Sequence, residues 1–222
     1  KEWLKTAYPL IGKEYEFWIT KRSTTYGLSR HHHDATQEYL ADFYEHLKKV
    51  RLPLTATTDE EKISIAGHRL AEAEAGYDFT PRFDGRCSDF IPVDLNSNLY
   101  QYEVTMSDFA RVLENGESKS WMDRAVERKQ RINELLWNEN RGLYLDYDMK
   151  NERPSEVTSL ATFQPLWTGC ASVEQAKRVK EHLKKYEFAY GVVPCEAATH
   201  DFIYQWDYPN TWPPHTLMVA EA

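Results

Sequence analysis

The sequence predicts an all-α fold, a toroid of helical hairpins with one short β-hairpin. Two observations predict it. Apolar residues recur at three- and four-residue intervals over most of the chain, and the long loops follow alternate helices on one side. The 222 residues, 41% hydrophobic and 14% aromatic, suffice for one domain or at most two. Periodicity alone does not establish that the ring closes.

The first half of the chain predicts four helices. Residues 23–35 between the first two have no apolar period and read as a loop, and residues 77–92 are rich in Asp, Pro, Gly and aromatic residues, which is unusual for a simple connector. The predicted helices are 1–22; 37–50; 58–76, with Thr58 as N-cap and Gly76 as stop; and 94–116, with Asp94 as N-cap and an end near Gly116.

The second half predicts further helices around a short strand or hairpin arm at 142–147, where apolar and polar residues alternate. An aromatic-rich segment, 202–214, precedes the last helix, and Pro213 and Pro214 suit its first turn. The predicted helices are 118–136, 158–168, 173–186 and a final one from 213. Both chain ends fall inside amphipathic patterns, so we expect a piece of a longer protein.

Charge and composition narrow the class of ligand. A net charge of -8 and the absence of a Lys/Arg-rich run argue against nucleic acid, and no apolar run approaches the ~18 to 20 residues that cross a bilayer. A neutral ligand fits better. Cys87, Cys170 and Cys195 are odd in number and far apart, and no Asn-x-Ser/Thr acceptor occurs, which favours a reducing, cytoplasmic setting without a disulfide framework.

One segment, Glu74–Phe83, carries a candidate general acid. Asp78 lies two residues beyond the helix-stopping Gly76, is flanked by aromatic residues and is followed by Arg82. An aromatic wall would desolvate Asp78 and favour its protonated form, while a nearby Arg82 would favour the ionised form. The structural alternative is a loop aspartate that caps a backbone turn.

A second segment, Gln205–Pro214, has the composition of a sugar-binding surface. Two tryptophans and a tyrosine surround Gln, Asp and Asn side chains in a proline-stiffened loop. Aromatic faces stack on the apolar face of a pyranose, and the polar side chains can hydrogen-bond its hydroxyls. The structural alternative is a rigid aromatic turn that packs against a helix start.

These segments resemble signatures of the trehalase family (glycoside hydrolase family 37). Gln205–Pro214 resembles its Gln-Trp-Asp, Pro-Asn, Trp, Pro core, Glu74–Phe83 the stretch that holds its catalytic aspartate, and Asp89–Asn96 the stretch that follows. Residues 26–30 and 137–147 also look like family counterparts, so the resemblance spans most of the chain.

The resemblance implies that residues 1–222 are part of a single (α/α)6 glycosidase catalytic domain. It also implies hydrolysis of α,α-trehalose to glucose with inversion, a small carbohydrate substrate, no cofactor and no metal. Carried over by motif position, Asp78 is the catalytic acid. The implied substrate-binding residues are Gly76, Arg82, Gln205, Trp206, Asp207, Trp212 and Arg30.

Two features of the trehalase family are missing from this sequence. An inverting glycosidase also needs a base carboxylate, roughly 6.5 to 9.5 Å from the acid. The family's base is a glutamate in a Gly-rich segment further downstream, and another family motif lies upstream; neither occurs in this sequence. We therefore expect the remainder of the parent chain to supply the base and complete the barrel.

A departure inside the chain leaves the substrate open. Many trehalases have an Arg-Pro-Glu-Ser loop where this chain has 31–38, which begins with His31, His32 and His33. The alternatives are an (α/α)6 glycosidase for another α-glucoside or mannoside, and a non-catalytic sugar-binding relative. Adjacent histidines cannot all face one ion, so we expect the triple histidine to bind sugar hydroxyls or form a solvated loop rather than a metal site.

Overall fold

Helices dominate the parts of the chain that the computed structural model describes, which are residues 1–50, 54–198 and 204–222. The α-helices in these ranges are α1 Glu2–Thr20, α2 Gln37–Val50, α3 Asp59–Ala75, α4 Val93–Leu113, α5 Ser118–Leu135, α6 Gln164–Trp167, α7 Val173–Glu181 and α8 Pro213–Glu221. Short 3-10 helices cover Cys87–Asp89, Leu160–Phe163 and Leu183–Lys185. The first residues of the predicted aromatic segment, 202 and 203, lie outside the described ranges.

Consecutive helices pair as hairpins, which confirms the predicted fold class. α2 packs along α3 and α4 along α5, while α1 lies on α4. The largest core cluster joins α5, the central strands and the helices that follow them, and includes the fully buried Ile132, Leu143, Leu160 and Val193. Burying such side chains stabilises the fold by about 1.5 to 3 kcal/mol each.

The described ranges contain three small antiparallel sheets between the helices, whereas the sequence predicted a single hairpin. The strands are β1 Phe90–Ile91, β2 Trp137–Asn138, β3 Leu143–Tyr144, β4 Tyr147–Asp148, β5 Arg153–Pro154, β6 Glu187–Phe188 and β7 Gly191–Val192. β2 pairs with β3, β6 with β7, and β4 lies between β1 and β5. The predicted arm at 142–147 is therefore shared between two sheets, which bring distant segments together.

The caps of α3 are as predicted. Thr58 accepts a hydrogen bond from the Glu61 N–H, and the two residues form a capping box. At the other end, Gly76 takes the left-handed conformation with φ +73°, which glycine adopts without steric cost. Asp78 therefore lies two residues beyond the C-cap of a helix that is capped at both ends.

The bounds of α4 differ from the prediction. The helix starts at Val93 with Pro92 as N-cap, so Asp94 lies inside the first turn, where its carboxylate binds Arg82 instead of capping. It ends at Leu113, and its C-cap residue Glu114 adopts φ +57° and donates its N–H to the carbonyls of Ala110 and Arg111. This end is close to the predicted one near Gly116.

The helices predicted at 158–168 and 173–186 are shorter and broken. The first is a 3-10 turn followed by α6, because Pro165 lacks the N–H that a continuous helix would need. The second divides into α7 and the 3-10 turn Leu183–Lys185. Hydrophobic periodicity does not distinguish a continuous helix from two short helical turns on the same face.

Candidate active site

The two segments predicted to carry chemistry meet in the structure. The carbonyl oxygen of Phe79 accepts hydrogen bonds from the backbone N–H groups of Gln205 (2.9 Å) and Trp206 (3.3 Å). The hydroxyl of Thr80 donates to the Trp206 carbonyl at 3.2 Å. These bonds join the loop of the candidate acid to the segment Gln205–Pro214, the aromatic loop, although more than 120 residues separate the two in sequence.

The acid loop, residues 76–82, is a tight turn that is hydrogen-bonded to the last turn of α3. The Tyr77 N–H donates to the Glu72 carbonyl (3.1 Å), and the Phe79 N–H donates to the Glu72 carboxylate (3.3 Å). Phe79 has φ +57°, a sparsely populated conformation for a residue with a bulky side chain. Between these two anchored residues lies Asp78, whose side chain is partly exposed.

Four rings surround the side of the acid loop that faces α8. Trp206 stacks on Trp212 with centroids 4.2 Å apart and an interplanar angle of 15°. Tyr77 lies 5.1 Å from the Trp206 ring and shares a 2.9 Å hydrogen bond with His215 Nε2. Burial lowers the pKa of His215 to about 4, so this imidazole is neutral near pH 7.

The indole N–H groups of Trp206 and Trp212 are buried and have no acceptor among the described residues. Buried donors normally have a partner, because an unmade hydrogen bond costs about 1 to 3 kcal/mol. The two rings form an aromatic surface beside the acid loop, and such a surface suits the apolar face of a sugar ring, while the two indole N–H groups are enclosed.

Arg82 lies beneath this cluster in a buried ion network. Its side chain is 0% exposed, and its guanidinium donates two hydrogen bonds to Asp94 (both 2.8 Å) and two to Asp146 (2.6 and 2.7 Å). It also lies 4.9 Å from the Tyr77 ring. Burial alone would raise the pKa of Asp94, but Arg82 outweighs that effect and lowers it to about 2.

This arrangement gives Arg82 a positional role. Two carboxylates already compensate its charge, and the fork joins the acid loop to the first turn of α4 and to the β3–β4 connection. A direct substrate contact by Arg82 stays a prediction. Asp146 was not among the residues predicted for the site; the usable signal was an aspartate directly after the apolar run at 143–145.

The last turn of α3 carries two carboxylates in opposite environments. Burial raises the pKa of Glu72, whose carboxylate oxygens both lie 2.8 Å from Arg69 Nη1, to about 7. Burial would also raise the pKa of Glu74, but His31, whose Nδ1 lies 3.4 Å from the carboxylate, and hydrogen bonds from Arg22 and the His32 N–H lower it to about 2. Glu74 therefore ties the histidine loop to the acid helix as a permanent anion near pH 7.

The triple histidine is held against the protein and is not a solvated loop. His31 is buried, with its ring edge-on to Trp18 at 5.7 Å, and His32 Nδ1 lies 3.2 Å from the Ser88 hydroxyl. Arg30 donates to the Ser88 carbonyl at 2.9 Å. Arg30 thus lies near the turn that follows the acid loop. Within the described ranges, no group of three or more His, Cys, Asp or Glu side chains is placed to hold a metal ion.

The aromatic loop is stiffened by its own amide. Asn210 Nδ2 donates to the carbonyls of Tyr204 (3.2 Å) and Gln205 (3.1 Å), and the Asn210 N–H donates to the Asp207 carbonyl (2.9 Å). Asp207 is buried and Gln205 partly buried. The turn fixes both side chains relative to Trp206, so the polar and aromatic groups of the loop are presented together.

Helical hairpins with a carboxylate loop beside an aromatic loop agree with the predicted class of protein, the toroidal glycosidases. The comparison with known families then gives the family: the profile described as Trehalase matches residues 1–222. The chain belongs to the trehalase family. The resemblance inferred from the motifs is thereby confirmed.

Individual relatives agree with this assignment. The chain is 38% identical to the cytosolic neutral trehalase of Kluyveromyces lactis over 70% of its own length, and 30% identical to that of Saccharomyces cerevisiae over 99%. The trehalase of Apis mellifera is 29% identical over the whole chain. The chain spans 23%, 34% and 39% of the length of these three relatives.

Solved structures show the same fold. The neutral trehalase Nth1 from Saccharomyces cerevisiae superimposes with a TM-score of 0.82 at 27% identity, covering 98% of this chain and 46% of that one. A mannosylglycerate hydrolase from Thermus thermophilus in complex with glucose gives a TM-score of 0.65 at 20% identity over 99% of this chain and 55% of that one. The latter shares the fold alone.

None of the helices in the three described ranges combines the length and the apolar character that crossing a bilayer requires.

Proposed function

We propose that residues 1–222 are part of a single (α/α)6 catalytic domain of a glycosidase that hydrolyses α,α-trehalose to two glucose molecules with inversion. The observation that carries this proposal is the junction at Phe79, whose carbonyl binds both Gln205 and Trp206. It brings the candidate acid Asp78 next to the aromatic loop. Membership of the trehalase family supports trehalose as the substrate.

In the proposed mechanism, Asp78 acts as general acid. Its proton passes to the glycosidic oxygen as the bond from that oxygen to the anomeric carbon breaks. A water molecule attacks the anomeric carbon from the opposite face and gives its proton to a base carboxylate roughly 6.5 to 9.5 Å from the acid. We propose that this base is a glutamate supplied by another part of the protein, which also completes the barrel.

Substrate contacts follow from the positions around the acid loop. Trp206 and Trp212 offer ring surface, and Gln205 and Asp207 offer polar groups in the loop that the Asn210 side chain stiffens. The backbone at Gly76 is exposed at the rim of the acid loop. With Arg30 and Arg82 as the remaining candidates, these residues form the proposed binding set.

The proposed substrate is a small neutral carbohydrate, with no nucleic acid or membrane partner. We further propose a cytosolic location. The two yeast relatives carry that location in their names, and Cys87, Cys170 and Cys195 are buried free thiols, as a reducing compartment permits.

The test uses the full-length protein that contains this chain. Glucose release is measured from trehalose beside maltose, kojibiose and mannosylglycerate, for the wild type, Asp78→Asn and the control Asp84→Asn. Asp84 is an exposed aspartate of the next turn, with its side chain 83% exposed. We expect release from trehalose alone, unchanged in D84N and reduced by about 10²-fold or more in D78N.

The stereochemistry is read by proton NMR at early times. Inversion yields one β-glucose and one α-glucose per trehalose, whereas retention yields two α-glucoses. Near-normal turnover in D78N would remove the acid assignment. Release from another glycoside would identify a different toroidal glycosidase, and no release with retained sugar binding would identify a non-catalytic relative.

A further inference from the structure

The first turn of α8 contacts the acid loop through one side chain. His215 is the third residue of this helix, and its Nε2 lies 2.9 Å from the hydroxyl of Tyr77. Tyr77 directly precedes Asp78 in the sequence, and 138 positions separate it from His215. Among the described residues, neither the Tyr77 hydroxyl nor the His215 ring has another hydrogen-bond partner. The pair is therefore a defined contact between α8 and the residue next to the candidate acid.

The direction of this hydrogen bond follows from the charge states of the two groups. Burial raises the pKa of Tyr77 and lowers the pKa of His215 to about 4, so both side chains are neutral near pH 7. If His215 donated from Nε2, the phenol proton would be left without an acceptor in a buried site. If Tyr77 donates, its proton is bonded and the ring proton of His215 lies on Nδ1. Tyr77 is therefore the donor, and the His215 ring accepts in its Nδ1–H form.

The residues on either side of Asp78 are both fastened to the same part of the chain. Phe79, after Asp78, is held by its carbonyl, which binds two backbone N–H groups at the start of the aromatic loop. Tyr77, before Asp78, is held by its side chain, which binds His215. Positions 205–215 thus contact the acid loop on both sides of Asp78. The first contact uses backbone atoms, whereas the second depends on the identity of two side chains.

Ring contacts around Tyr77 add to the hydrogen bond. The centroid of its ring lies 5.1 Å from that of Trp206 and 5.3 Å from that of His215. The His215 and Trp206 centroids are 5.2 Å apart, and the Arg82 guanidinium lies 4.9 Å from the Tyr77 ring. Because each of the three rings contacts the other two, a shift of Tyr77 would change the position of the acid loop relative to Trp206.

We propose that His215 is a positioning residue of the active site: by accepting the hydrogen bond of the Tyr77 hydroxyl, it holds the acid loop in place against the aromatic loop. The inference rests on the proposed function, in which Asp78 is the acid and Trp206 binds the sugar. His215 touches no substrate in this proposal. It acts through Tyr77, whose main chain continues into Asp78, and a small displacement of a catalytic group lowers the rate of the chemical step.

A ring that only fills space would have different consequences. Leu is close to His in size but cannot accept a hydrogen bond, so His215→Leu would be tolerated if the ring only packs. His215→Gln can place its amide oxygen near the position of Nε2 and so keeps an acceptor. Tyr77→Phe removes the donor oxygen and leaves the ring. If the hydrogen bond matters, H215L and Y77F share a defect that H215Q lacks.

The experiment measures kcat and KM for trehalose in the full-length protein. The variants are H215L, H215Q, Y77F, the double variant Y77F/H215L and the control His46→Leu, at an exposed position of α2. We expect kcat to fall about 10-fold in H215L and in Y77F, with KM changed less than about 3-fold. H215Q should retain most of the wild-type kcat, and H46L all of it.

The double variant tests whether the two side chains act together. Its loss of kcat should be no larger than that of H215L, because both substitutions remove the same bond. Losses that multiply in the double variant, or a drop in H215Q as large as in H215L, would overturn the positioning role. Y77F differs from the wild type by one oxygen atom, so it decides the question if H215L does not fold.

Nitrogen NMR of the imidazole gives a readout that depends neither on turnover nor on trehalose. The His215 signals are identified by their loss in H215Q. We expect a protonated Nδ1 and an unprotonated Nε2, whose resonance moves in Y77F towards the value of a ring nitrogen without a hydrogen bond. A protonated Nε2, or an unmoved Nε2 resonance in Y77F, would show that Tyr77 does not donate to His215 and would overturn the proposal.

Failure of this role and failure of the proposed function give different results. A wild-type protein that releases no glucose from trehalose would overturn the proposed function and this role with it. An active wild type in which H215L and Y77F keep their kcat would overturn the role of His215 alone and leave the proposed function in place.

Discussion

Trp206 shows how one side chain serves both the loop and the proposed ligand. The Trp212 ring stacks on one face of Trp206 with centroids 4.2 Å apart, and the centroids of the Tyr77 and His215 rings lie 5.1 and 5.2 Å from that of Trp206. From sequence, Trp206 and Trp212 are predicted to form a surface for sugar binding, with an aromatic turn as the structural alternative. The geometry combines these readings, because the two rings support each other and leave their indole donors without protein acceptors.

Replacing Trp206 by Ala should weaken sugar binding more than it slows chemistry. Aromatic contacts of this kind contribute about 0.5 to 1.5 kcal/mol beyond burial, which corresponds to a rise in KM of roughly 3- to 10-fold. The measurement is steady-state kinetics on trehalose, with Trp167→Ala on the exposed face of α6 as control. An unchanged KM in the Trp206 variant would mean that the ring only packs the loop.

The residues of the site differ in how far sequence could identify them. Asp78 and Trp206 stand in local motifs with distinctive neighbours, so they could be found without a structure. Glu72, Asp146 and His215 could not, because their significance comes from tertiary contacts: with the Phe79 N–H, with Arg82 and with Tyr77. Nothing in the local sequence distinguishes Glu72 from the exposed glutamates of α3.

At the level of elements, Arg82 connects three segments. It lies in the acid loop, while Asp94 belongs to α4 and Asp146 to the connection between β3 and β4. Asp146 also accepts the Val93 N–H at 2.8 Å, which ties the start of α4 to the same network. The orientation of the acid loop on its scaffold therefore depends on one buried guanidinium.

Arg82→Met should be strongly destabilising, since it leaves two buried carboxylates without their cation. Breaking a buried pair in this way costs about 3 to 5 kcal/mol. Arg82→Lys should recover part of this loss, because an ammonium keeps the charge but cannot make the paired hydrogen bonds of the guanidinium. The free energy of unfolding is measured by urea denaturation of the full-length protein.

The matched control is Arg153→Met. Arg153 pairs with Glu156 on the surface, where the two side chains are 58% and 78% exposed, and such pairs contribute about 0 to 1 kcal/mol. Equal losses for the Arg82 and Arg153 variants would contradict the proposed role of the buried network.

The elements were predictable where local signals were complete. α2 and α3 each have a clear apolar period, and α3 also has caps at both ends; both helices have the predicted bounds within a residue or two. The region after α5 was not predictable in the same way. The apolar period there continues through 3-10 turns, and the strands, of two residues each, are defined by pairing with distant segments. A two-residue strand carries too few side chains for a period of two to be visible.

Across the whole molecule, ionised carboxylates fasten segments that are far apart in sequence. Glu74 binds Arg22, Asp94 binds Arg82, and Asp148 binds Arg86. In each case burial alone would raise the pKa of the carboxyl, but hydrogen bonds and the facing cation lower it to about 2. The net charge of -8 gives no sign of this, because it does not report which carboxylates are paired inside the fold.

These carboxylates predict a loss of stability in acid. Their pKa values are lower in the folded chain than in the unfolded chain, so their contribution is complete above about pH 4 to 5 and is lost as the pH falls towards 2. For Asp94 alone the loss is about 2 kcal/mol. The pKa of Glu72 is raised instead, so its contribution is present below about pH 4 and is lost as the pH rises through about 7.

Together the two signs predict a stability maximum on the acidic side of neutrality. The measurement is urea denaturation of the full-length protein from pH 2.5 to pH 8, for the wild type, Glu72→Gln and Asp94→Asn. Stability should decline towards pH 8 less in E72Q than in the wild type, because the amide cannot ionise. Below about pH 4 the decline should be shallower in D94N, which has lost one of the titrating groups. Parallel curves for all three proteins would show that neither buried carboxyl governs the pH dependence of folding.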